Sequence, residues 1–576
     1  MIKKKTRSLK GALIEVSLVV PLFVLLIDEF SARAGVLDTL SWIVTNPAAF
    51  LINFAIVSGL STLLFALSKR PALTSFILCT AGIIMAIINY NLIAVREHPL
   101  LATTMITLMD VGIFFIHRVW WRWVISLGVV GTAVVVWLFL HFTNPHKPSV
   151  SKRARRNITA VALCVLIISL SLTGFMKTDY NNLHIRIKEN GYGVTILQYL
   201  VSPYIDAPEN EPEKPPVVTH SGSNKPDIIV VKLESFTDGK DYEKLRADIT
   251  PRTEELKSSS LNGRILVSAY GGNTCSTVFD VLSGYCAAFT VPSTSCYGDM
   301  LLGKKYQKSY TSTLAEQGYG SVYISAFEKE FTNEGKSAEA MGFEKIIGVE
   351  GFPPYKVTIP NSDLMDRVKA EYEQRDKSRP FMMVAETMEN HYDFSPDSYM
   401  VQDFLIDDVD MLTDSENTTV KGYINGLRHD DQFIGDMLDY FSQCENEVNI
   451  IFFSDHRPYL GNFWSVYKKL GFLSEDVMPD NVTADDVDFI YGVPYFIWNN
   501  KGLIEAKTTE NPISPSYLMP MLFKERGIQG NDVSDFVLTA SETVDNFGTS
   551  SYKLRPVDEK IENYYRYICK RDILDN

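Results

Sequence analysis

The sequence predicts two parts of different fold class: an α-helical membrane domain of five spans, followed by an α/β domain with a mostly parallel sheet. Three observations support this prediction. The first 180 residues are rich in apolar runs and carry a net charge of +10, whereas the rest of the chain carries −24. Beyond residue 226, short β-rich runs alternate with longer helical segments. With 576 residues, the chain is also too long for one simple domain.

The membrane domain is predicted over residues 1–180. Each of its five apolar runs is close to the roughly 20 residues that cross a bilayer. The first run follows a basic start, but no small-residue cleavage site comes after it, so it is not interpreted as a cleaved signal peptide. The predicted spans lie near 11–29, 48–68, 73–94, 123–142 and 157–176.

A further apolar segment, 99–118, carries Asp110 and is predicted to be interfacial or re-entrant. The N-terminus and the loop 147–156 are both basic, and basic loops stay cytoplasmic. An even number of spans must separate two cytoplasmic segments, and this condition is met if 99–118 does not cross. The span 157–176 then leaves the remainder of the chain outside the cell membrane.

Residues 181–226 are predicted to join the two parts, and residues 227–576 are predicted to form an extracellular catalytic domain. A juxtamembrane helix is expected over 181–200, and prolines among polar residues predict an extended linker over 203–226. The acidic composition of this half argues against nucleic acid as a partner, because phosphate binding needs Lys and Arg surfaces.

The seven cysteines leave the redox state open. Five of them lie beyond the membrane domain, and an odd number leaves at least one unpaired within the chain. Cys286 and Cys296 are close enough in sequence to form a disulfide. A domain of this size does not need one, so a fully reduced state is an equal alternative.

Polar side chains follow three of the predicted strands. Glu234 follows the first strand, His391 comes shortly after a later one, and Asp455-His456 follows the last. In mostly parallel sheets, ligands bind beyond the carboxyl ends of the strands, so these side chains are expected to converge. The predicted strands are 227–233, 263–268, 320–325, 379–386 and 448–453, with helical segments at 310–318, 362–375 and 421–443.

A glycine-rich turn, Gly271-Gly-Asn-Thr274, opens a predicted helix over 275–283. Taken singly, each of these features has an ordinary interpretation: a solvated carboxylate, a capping residue or a tight turn. Four such features on one α/β sheet indicate a site. Carboxylate and imidazole ligands suit Mn²⁺, Mg²⁺ or Zn²⁺.

With these motifs the chain resembles the lipoteichoic acid synthase family, a branch of the alkaline phosphatase/sulfatase superfamily, and especially its clostridial-type members. The resemblance extends over nearly the whole chain and implies a sulfatase/alkaline-phosphatase-like fold for the extracellular domain. It is carried by Lys232-Leu-Glu-Ser-Phe236, Gly271-Gly-Asn-Thr274, Glu389-Asn-His391 and Phe453-Ser-Asp-His456.

The resemblance implies one Mn²⁺ (or Mg²⁺) ion and a catalytic threonine. Thr274 is the implied nucleophile and also a metal ligand, and His391 is implied to face the substrate phosphate. A metal lowers the pKa of a threonine hydroxyl that is otherwise a weak nucleophile. The implied metal ligands are Glu234, Thr274, Asp455 and His456, and the expected substrate contacts are His391, Asn273 and Arg457.

One stretch departs from the family pattern. Related synthases have a Trp-Asn-Arg stretch in the region of Phe331 to Glu334, and here the Arg position holds Glu334. A cation for the glycerophosphate is therefore missing from its expected place. Lys329, Lys336 and Arg457 are alternative cations, and a different donor is the other explanation.

The function expected first is phosphoglycerol transfer. Phosphatidylglycerol would be the donor, and the acceptor would be a polyglycerol phosphate (teichoic acid) chain, a glycolipid or a cell-wall glycan. One alternative keeps the site but transfers another group, such as phosphoethanolamine, or uses water as a phosphodiesterase does. A third alternative is a non-catalytic membrane sensor or scaffold.

Overall fold

The structure, a computed structural model, separates the chain into two compact units, Met1–Pro203 and Tyr204–Asn576. The first unit is helical and the second is α/β. The residues that the structure describes are 8–33, 35–96, 99–101, 128, 131, 148–176, 183–201, 205, 207–246, 248–291, 294–301, 308–354, 358–479 and 481–574.

Within the described residues, 4 helices of the first unit are long and apolar enough to cross a membrane. They coincide with four of the predicted spans, so the helical membrane part is confirmed. The predicted span 123–142 and the interfacial segment 99–118 lie almost entirely outside the described residues. The four helices are Leu9–Arg33, Pro47–Ser68, Pro71–Tyr90 and Lys152–Thr173, and a shorter helix spans Val36–Thr45.

The expected juxtamembrane helix is two helices, Leu183–Asn190 and Tyr192–Val201. The break lies at Gly191, whose φ of +83° favours glycine. Buried polar groups fix this corner: the backbone N–H of Tyr192 donates to Glu29 Oε1 at 2.8 Å. A single helix was predicted because the local pattern does not show these distant partners.

Among the residues that the structure describes, the second unit contains one sheet of eight strands in the order β4-β3-β5-β1-β6-β7-β2-β8. Of these described strands, β7 alone runs antiparallel, to both β6 and β2, so the expected mostly parallel sheet is confirmed. The strands are β1 Asp227–Leu233, β2 Leu261–Leu266, β3 Gly320–Ser325, β4 Lys345–Ile347, β5 Phe381–Glu386, β6 Val448–Ser454, β7 Gly492–Asn499 and β8 Lys507–Thr508.

Both faces of the sheet are buried, and each forms its own hydrophobic core. Along β1, Ile228 and Val230 contribute to one core, while Ile229 and Val231 contribute to the other. This alternation follows from the two-residue period of a strand, and continuous burial is typical of a parallel sheet covered by helices. The covering helices are Pro251–Lys257, Thr274–Ser283, Tyr310–Glu316, Glu334–Ala340, Asn361–Gln374, Asp414–Phe441, Ser465–Lys469, Ala484–Ile490, Leu518–Arg526, Asp532–Ser541 and Glu559–Ile573.

The five predicted strands are all present, with bounds that shift by a few residues, but β4, β7 and β8 were not predicted. Strand β7 contains Pro494 and begins at Gly492, two residue types that weaken a strand signal. Strands β4 and β8 have only 3 and 2 residues, too few to show a period.

Residues 207–226 of the proline-rich linker belong to the second unit and form hydrogen bonds with the rest of it. The backbone N–H of Val218 donates to Thr539 Oγ1 at 3.0 Å, and that of His220 donates to Asp535 Oδ1 at 3.0 Å. Both acceptors are on the helix Asp532–Ser541. The absence of regular structure over 207–226 agrees with the prolines, and the side-chain acceptors satisfy the linker backbone.

Candidate active site

Three neighbouring strands at the centre of the sheet end level with one another. In the register of the sheet, Lys232 of β1 pairs with Glu386 of β5, and Leu233 of β1 pairs with Ser454 of β6. The residues that follow therefore emerge at one edge. This edge is the carboxyl end of parallel strands, where α/β proteins place their ligands.

Glu234, Asp455 and His456 form a buried cluster at this edge that could hold a metal ion, with ligand atoms all within 4.8 Å of one another. His456 Nε2 lies 3.7 Å from Glu234 Oε1 and 3.5 Å from Asp455 Oδ2. His456 Nδ1 lies 3.2 Å from the carbonyl oxygen of Arg457. Because a carbonyl only accepts, Nδ1 carries the proton and Nε2 keeps a lone pair for a ligand.

This donor set fits a divalent metal ion. Two carboxylates that are buried side by side repel each other, and burial of such charges is costly unless a cation compensates them. Carboxylate oxygens with one imidazole nitrogen are ligands that Mn²⁺, Mg²⁺ and Zn²⁺ accept. The structure thus brings together three of the four residues expected as ligands.

The fourth expected ligand, Thr274, touches the same cluster. Its Oγ1 donates a hydrogen bond of 2.7 Å to Asp455 Oδ2. Thr274 is also the first residue of the helix Thr274–Ser283, whose backbone N–H groups favour an anion at that end. A hydroxyl beside two carboxylates, an imidazole and a helix N-terminus is well placed to attack a phosphoryl group.

The turn before Thr274 requires glycine at Gly271. This residue has a φ of +63°, and an added Cβ would lie 2.9 Å from Cβ of Tyr459. Its N–H donates to the carbonyl oxygen of Arg457 at 3.1 Å. The turn is therefore fixed directly against the segment that carries Asp455 and His456.

Glu234 is held by contacts from the ends of β1 and β5. Its N–H donates to Thr387 Oγ1 at 2.9 Å, and its Oε2 accepts from Lys232 Nζ at 2.8 Å. Burial alone would raise the pKa of Glu234, but the positive charge of Lys232, whose Nζ is 2.8 Å away, holds that pKa well below its usual range. Glu234 is therefore ionised at neutral pH, as a metal ligand must be.

The surroundings of Asp455 change its pKa in the opposite direction from that of Glu234. Burial and then the negative charge of Glu234 raise the pKa of Asp455. Its Oδ1 accepts from the backbone N–H groups of Ser235 and His456, both at 2.9 Å. These bonds leave Oδ2 directed toward Thr274 and His456.

His391 lies beside the cluster, on the loop after β5. Its ring stacks on Phe327 with centroids 6.1 Å apart, and its Nδ1 lies 2.7 Å from the carbonyl oxygen of Tyr392. After Lys232, His391 also contributes to the lowered pKa of Glu234, so its ring lies within electrostatic reach of that carboxylate. This position suits a proton donor to a substrate oxygen.

Sequence reasoning missed His429, which anchors the His391 loop. Nδ1 of His429 lies 2.9 Å from Glu389 Oε1, and Nε2 lies 3.0 Å from Asp403 Oδ1. Burial lowers the pKa of His429, but its hydrogen bonds and ion pairs with Glu389 and Asp403 together raise it to about 9. A lone histidine in the helix Asp414–Phe441 carries no local signal of this role.

Two expected substrate contacts are engaged elsewhere. Arg457 is buried, donates from Nη1 to Asp241 Oδ2 at 2.8 Å and lies 4.1 Å from the ring centre of Phe489. The Asn273 side chain donates to Ser276 Oγ at 2.7 Å within the helix start. The contact of either residue with substrate stays a prediction.

Glu334 is buried rather than facing solvent. Its Oε2 accepts from Ser325 Oγ at 3.2 Å, and it neighbours Glu386. Burial and then the charge of Glu334 raise the pKa of Glu386 well above its usual range. Of the alternative cations, Lys336 is exposed, and Lys329 pairs with Glu350.

The reduced state of the cysteines is the alternative that the structure shows. The seven cysteines all lie among the described residues and form no disulfide there, and Cys286 and Cys296 are both buried.

Residues 226–527 match the model of the sulfatase family, and the chain belongs to that family. This confirms the expected fold and the superfamily of metal-dependent enzymes on which the predicted activity depends. The chain is 23% identical over 438 residues to a putative cyclic beta-1,2-glucan modification protein of Rhizobium meliloti (strain 1021). That match covers 72% of this chain and 66% of the relative, just under two thirds of its length.

Two solved structures share the fold. The Streptococcus pyogenes phosphoglycerol transferase GacH, in complex with sn-glycerol-1-phosphate, is 16% identical with a TM-score of 0.50, over 62% of this chain and 89% of that chain. The integral membrane lipooligosaccharide phosphoethanolamine transferase A of Neisseria meningitidis is 13% identical with a TM-score of 0.54, over 91% of this chain and 98% of that chain. The chain thus combines helices long and apolar enough to cross a membrane with a sulfatase-family domain.

Proposed function

We propose that this protein is a metal-dependent phosphoglycerol transferase. It moves glycerol phosphate from phosphatidylglycerol to a polyglycerol phosphate, a glycolipid or a cell-wall glycan, by way of phosphorylated Thr274. The observation that carries the proposal is the 2.7 Å hydrogen bond from Thr274 Oγ1 to Asp455 Oδ2, within the Glu234–Asp455–His456 cluster. The fold shared with a phosphoglycerol transferase and the glucan-modifying relative support this reaction class.

In the first half-reaction, Thr274 Oγ attacks the phosphorus of the donor. A bond forms between Thr274 Oγ and phosphorus, and the bond from phosphorus to the diacylglycerol oxygen breaks. Asp455 Oδ2 accepts the hydrogen bond of the Thr274 hydroxyl and is placed to take its proton. His391 donates a proton to the departing oxygen, so diacylglycerol leaves as an alcohol.

In the second half-reaction, an acceptor hydroxyl attacks the same phosphorus and Thr274 leaves. His391, now neutral, takes the proton of the acceptor, and Thr274 recovers its own proton. The N–H groups at the start of the helix Thr274–Ser283 stabilise the phosphoryl oxygens in both steps.

Glu234, Asp455, His456 and Thr274 would together hold one Mn²⁺ or Mg²⁺ ion. When bound, such an ion lowers the pKa of the threonine hydroxyl and offsets the charge that develops on the phosphoryl oxygens. The catalytic domain, residues 227–576, is proposed to be extracellular. A membrane anchor suits a reaction in which the donor and the leaving group are both lipids.

Phosphoethanolamine transfer is the second candidate, and Glu334 favours it. A buried carboxyl stands where the resemblance implies an arginine for glycerophosphate, and an anion suits a cationic head group better. The fold is also shared with a phosphoethanolamine transferase over 91% of this chain. The choice of donor therefore belongs in the first experiment.

The experiment measures diacylglycerol release by the full-length protein in detergent with Mn²⁺. Fluorescent phosphatidylglycerol and fluorescent phosphatidylethanolamine are offered separately. We expect release from phosphatidylglycerol, a loss of at least 100-fold in Thr274→Ala, which removes the nucleophile, and partial activity in Thr274→Ser. Thr418→Ala, on an exposed helix face, is the matched control.

The outcomes separate the two parts of the proposal. Equal release by the wild type and Thr274→Ala would overturn the nucleophile assignment. Release from phosphatidylethanolamine alone would replace the donor with the second candidate. Release from neither lipid by any variant would overturn transfer from both.

A further inference from the structure

Lys232 is a fully buried lysine beside the Glu234–Asp455–His456 cluster, and the reaction described above does not use it. It is the last residue but one of β1, the central strand, with β5 and β6 on either side. Its side chain is 0% exposed. A buried ammonium is costly unless several acceptors surround it, so its position requires a reason.

The acceptors of Lys232 are the candidate metal ligands themselves. Its Nζ donates to Glu234 Oε2 at 2.8 Å and to the carbonyl oxygen of Thr387 at 2.9 Å, and it lies 3.9 Å from Asp455 Oδ2. Sulfur Sδ of Met388 is 3.7 Å away. One ammonium thus contacts both carboxylates of the cluster.

This contact divides the two oxygens of Glu234 between two tasks. Oε2 is committed to Lys232, while Oε1 accepts from Ser235 Oγ at 3.1 Å and lies 3.7 Å from His456 Nε2. Oε1 is therefore the oxygen turned toward the remaining ligand atoms. A carboxylate held in this way offers a metal a single oxygen in a fixed direction.

The neighbouring strand places a further buried carboxyl residue next to Lys232 in the sheet. Lys232 pairs with Glu386 in the register of β1 and β5, and Glu386 pairs with Ser325 of β3. Glu386 is buried, and Glu334 lies beside it. Lys232 therefore contacts the carboxylates of Glu234 and Asp455, and a further carboxyl, that of Glu386, belongs to the residue paired with it on β5.

We infer that Lys232 is a positioning residue that serves as a built-in cation of the metal centre. It keeps Glu234 and Asp455 assembled when no metal is bound and directs one oxygen of Glu234 to the ion. The inference rests on the metal site of the proposed function, but not on which group is transferred. It requires that the empty site stays folded, and that loss of the lysine makes folding depend on the ion.

The test compares the full-length wild type with Lys232→Met, which keeps the length of the side chain and removes its charge. Apparent melting temperature is measured in detergent after treatment with EDTA, and again after addition of Mn²⁺ alone. Lys345→Met, at the exposed end of β4, controls for loss of a lysine that forms an ion pair. The bound Mn²⁺ per chain is counted in parallel.

We expect the EDTA-treated wild type to unfold cooperatively, and we expect its melting temperature to rise modestly on addition of Mn²⁺. We expect EDTA-treated Lys232→Met to melt lower by about 5 °C or more, because two buried carboxylates lose their partner. The rise in its melting temperature on addition of Mn²⁺ should be at least twice that of the wild type. The ion is then the only cation in contact with both carboxylates. Lys345→Met should follow the wild type.

If Mn²⁺ raises the melting temperature of Lys232→Met by no more than it raises that of the wild type, the inference is overturned. If Lys232→Met gives no folded protein without metal, growth and purification in Mn²⁺ should rescue it, and failure of that rescue counts against the inference. A wild type that unfolds completely in EDTA overturns it without any variant. A wild type that binds Mn²⁺ and shows the expected shifts, yet transfers no group, contradicts the proposed function alone.

Discussion

At the scale of single residues, ion pairs decide how the site is held. His429 is charged because Glu389 and Asp403 flank it, and Glu389 precedes by two residues the histidine assigned to proton transfer. The other oxygen of Glu389 accepts from the backbone N–H of Asn361 at 2.8 Å. The loop that carries His391 is therefore tied to two helices through one carboxylate.

The raised pKa of His429 predicts a particular dependence of stability on pH. Its pKa is about 9 in the folded protein, against an ordinary value of 6.5. The stabilisation is fully present below about pH 6.5 and is lost as pH rises through about 9. We expect the melting temperature of the wild type to fall over that window, and that of His429→Gln to be lower at pH 6 and to change less.

The measurement is a series of thermal melts between pH 6 and pH 9.5. His220→Gln, in the linker, is the matched histidine control and should retain the wild-type dependence. Parallel curves for the wild type and His429→Gln would mean that the ion pairs of His429 do not contribute to folding.

At the scale of elements, the long helix Asp414–Phe441 is shaped to receive the His391 loop. It contains Gly422, where an added Cβ would lie 1.6 Å from the carbonyl oxygen of Phe394, and Gly426, where it would lie 2.1 Å from Asn390 Oδ1. Glycine inside a helix costs about 1 kcal/mol relative to alanine. The close approach of the loop explains why the helix tolerates that cost.

We predict that Gly422→Ala destabilises the protein although alanine is the better helix former. The clash with the Phe394 backbone should exceed the gain in helix propensity and give a net loss of about 1–3 kcal/mol. It should also reduce transfer by at least 10-fold, because His391 shares that loop. Chemical denaturation and the diacylglycerol assay measure the two effects.

Thr418→Ala on the exposed face of the same helix is the control, and we expect it to change stability by less than about 0.5 kcal/mol. A Gly422→Ala variant that is more stable than the wild type would show that the loop adjusts freely. In that case the helix does not position His391.

At the scale of the whole molecule, charge divides the chain. The membrane unit is basic and the sulfatase-family unit is acidic. The proposed orientation places the basic loop before the helix Lys152–Thr173 in the cytoplasm, and the catalytic unit outside. The substrates proposed for the enzyme require this orientation.

We predict that a cysteine at Lys152 reacts with a membrane-impermeant thiol reagent only after the cells are opened. Lys377→Cys, on an exposed loop of the catalytic unit, should react in intact cells. The parent chain gives the background from its own cysteines. Labelling of Lys152→Cys from outside would overturn the orientation and with it the five-span topology.

Much of the site was predictable from local pattern. An Asp-His pair after an apolar strand, a Glu after another and a Gly-Gly-Asn-Thr turn each stand out because such residues are rarely buried without a partner. Parallel strands bring their carboxyl ends to one edge, so convergence of Glu234 and Asp455 followed from the sheet alone. Even Lys232 had a signal, since a lysine inside an otherwise apolar strand is unusual.

The remaining features depend on partners far apart in the chain. His429 was not assigned to the site, and the partners of Arg457 and Glu334 were not predicted, because those partners, Asp241 and Ser325, lie on other elements. The break of the juxtamembrane helix at Gly191 depends on Glu29 and Asn53, more than 130 residues earlier. No local pattern predicts the partner of a buried polar group.

The sequence by itself determined the membrane helices, the α/β class and the chemical identity of the cluster, because hydrophobic period and residue type are local properties. The tertiary structure alone decided which oxygen of Glu234 meets Lys232, that Arg457 faces Asp241, and that Thr274 donates to Asp455. These features depend on packing, because the fold determines which distant group becomes the partner of a buried charge.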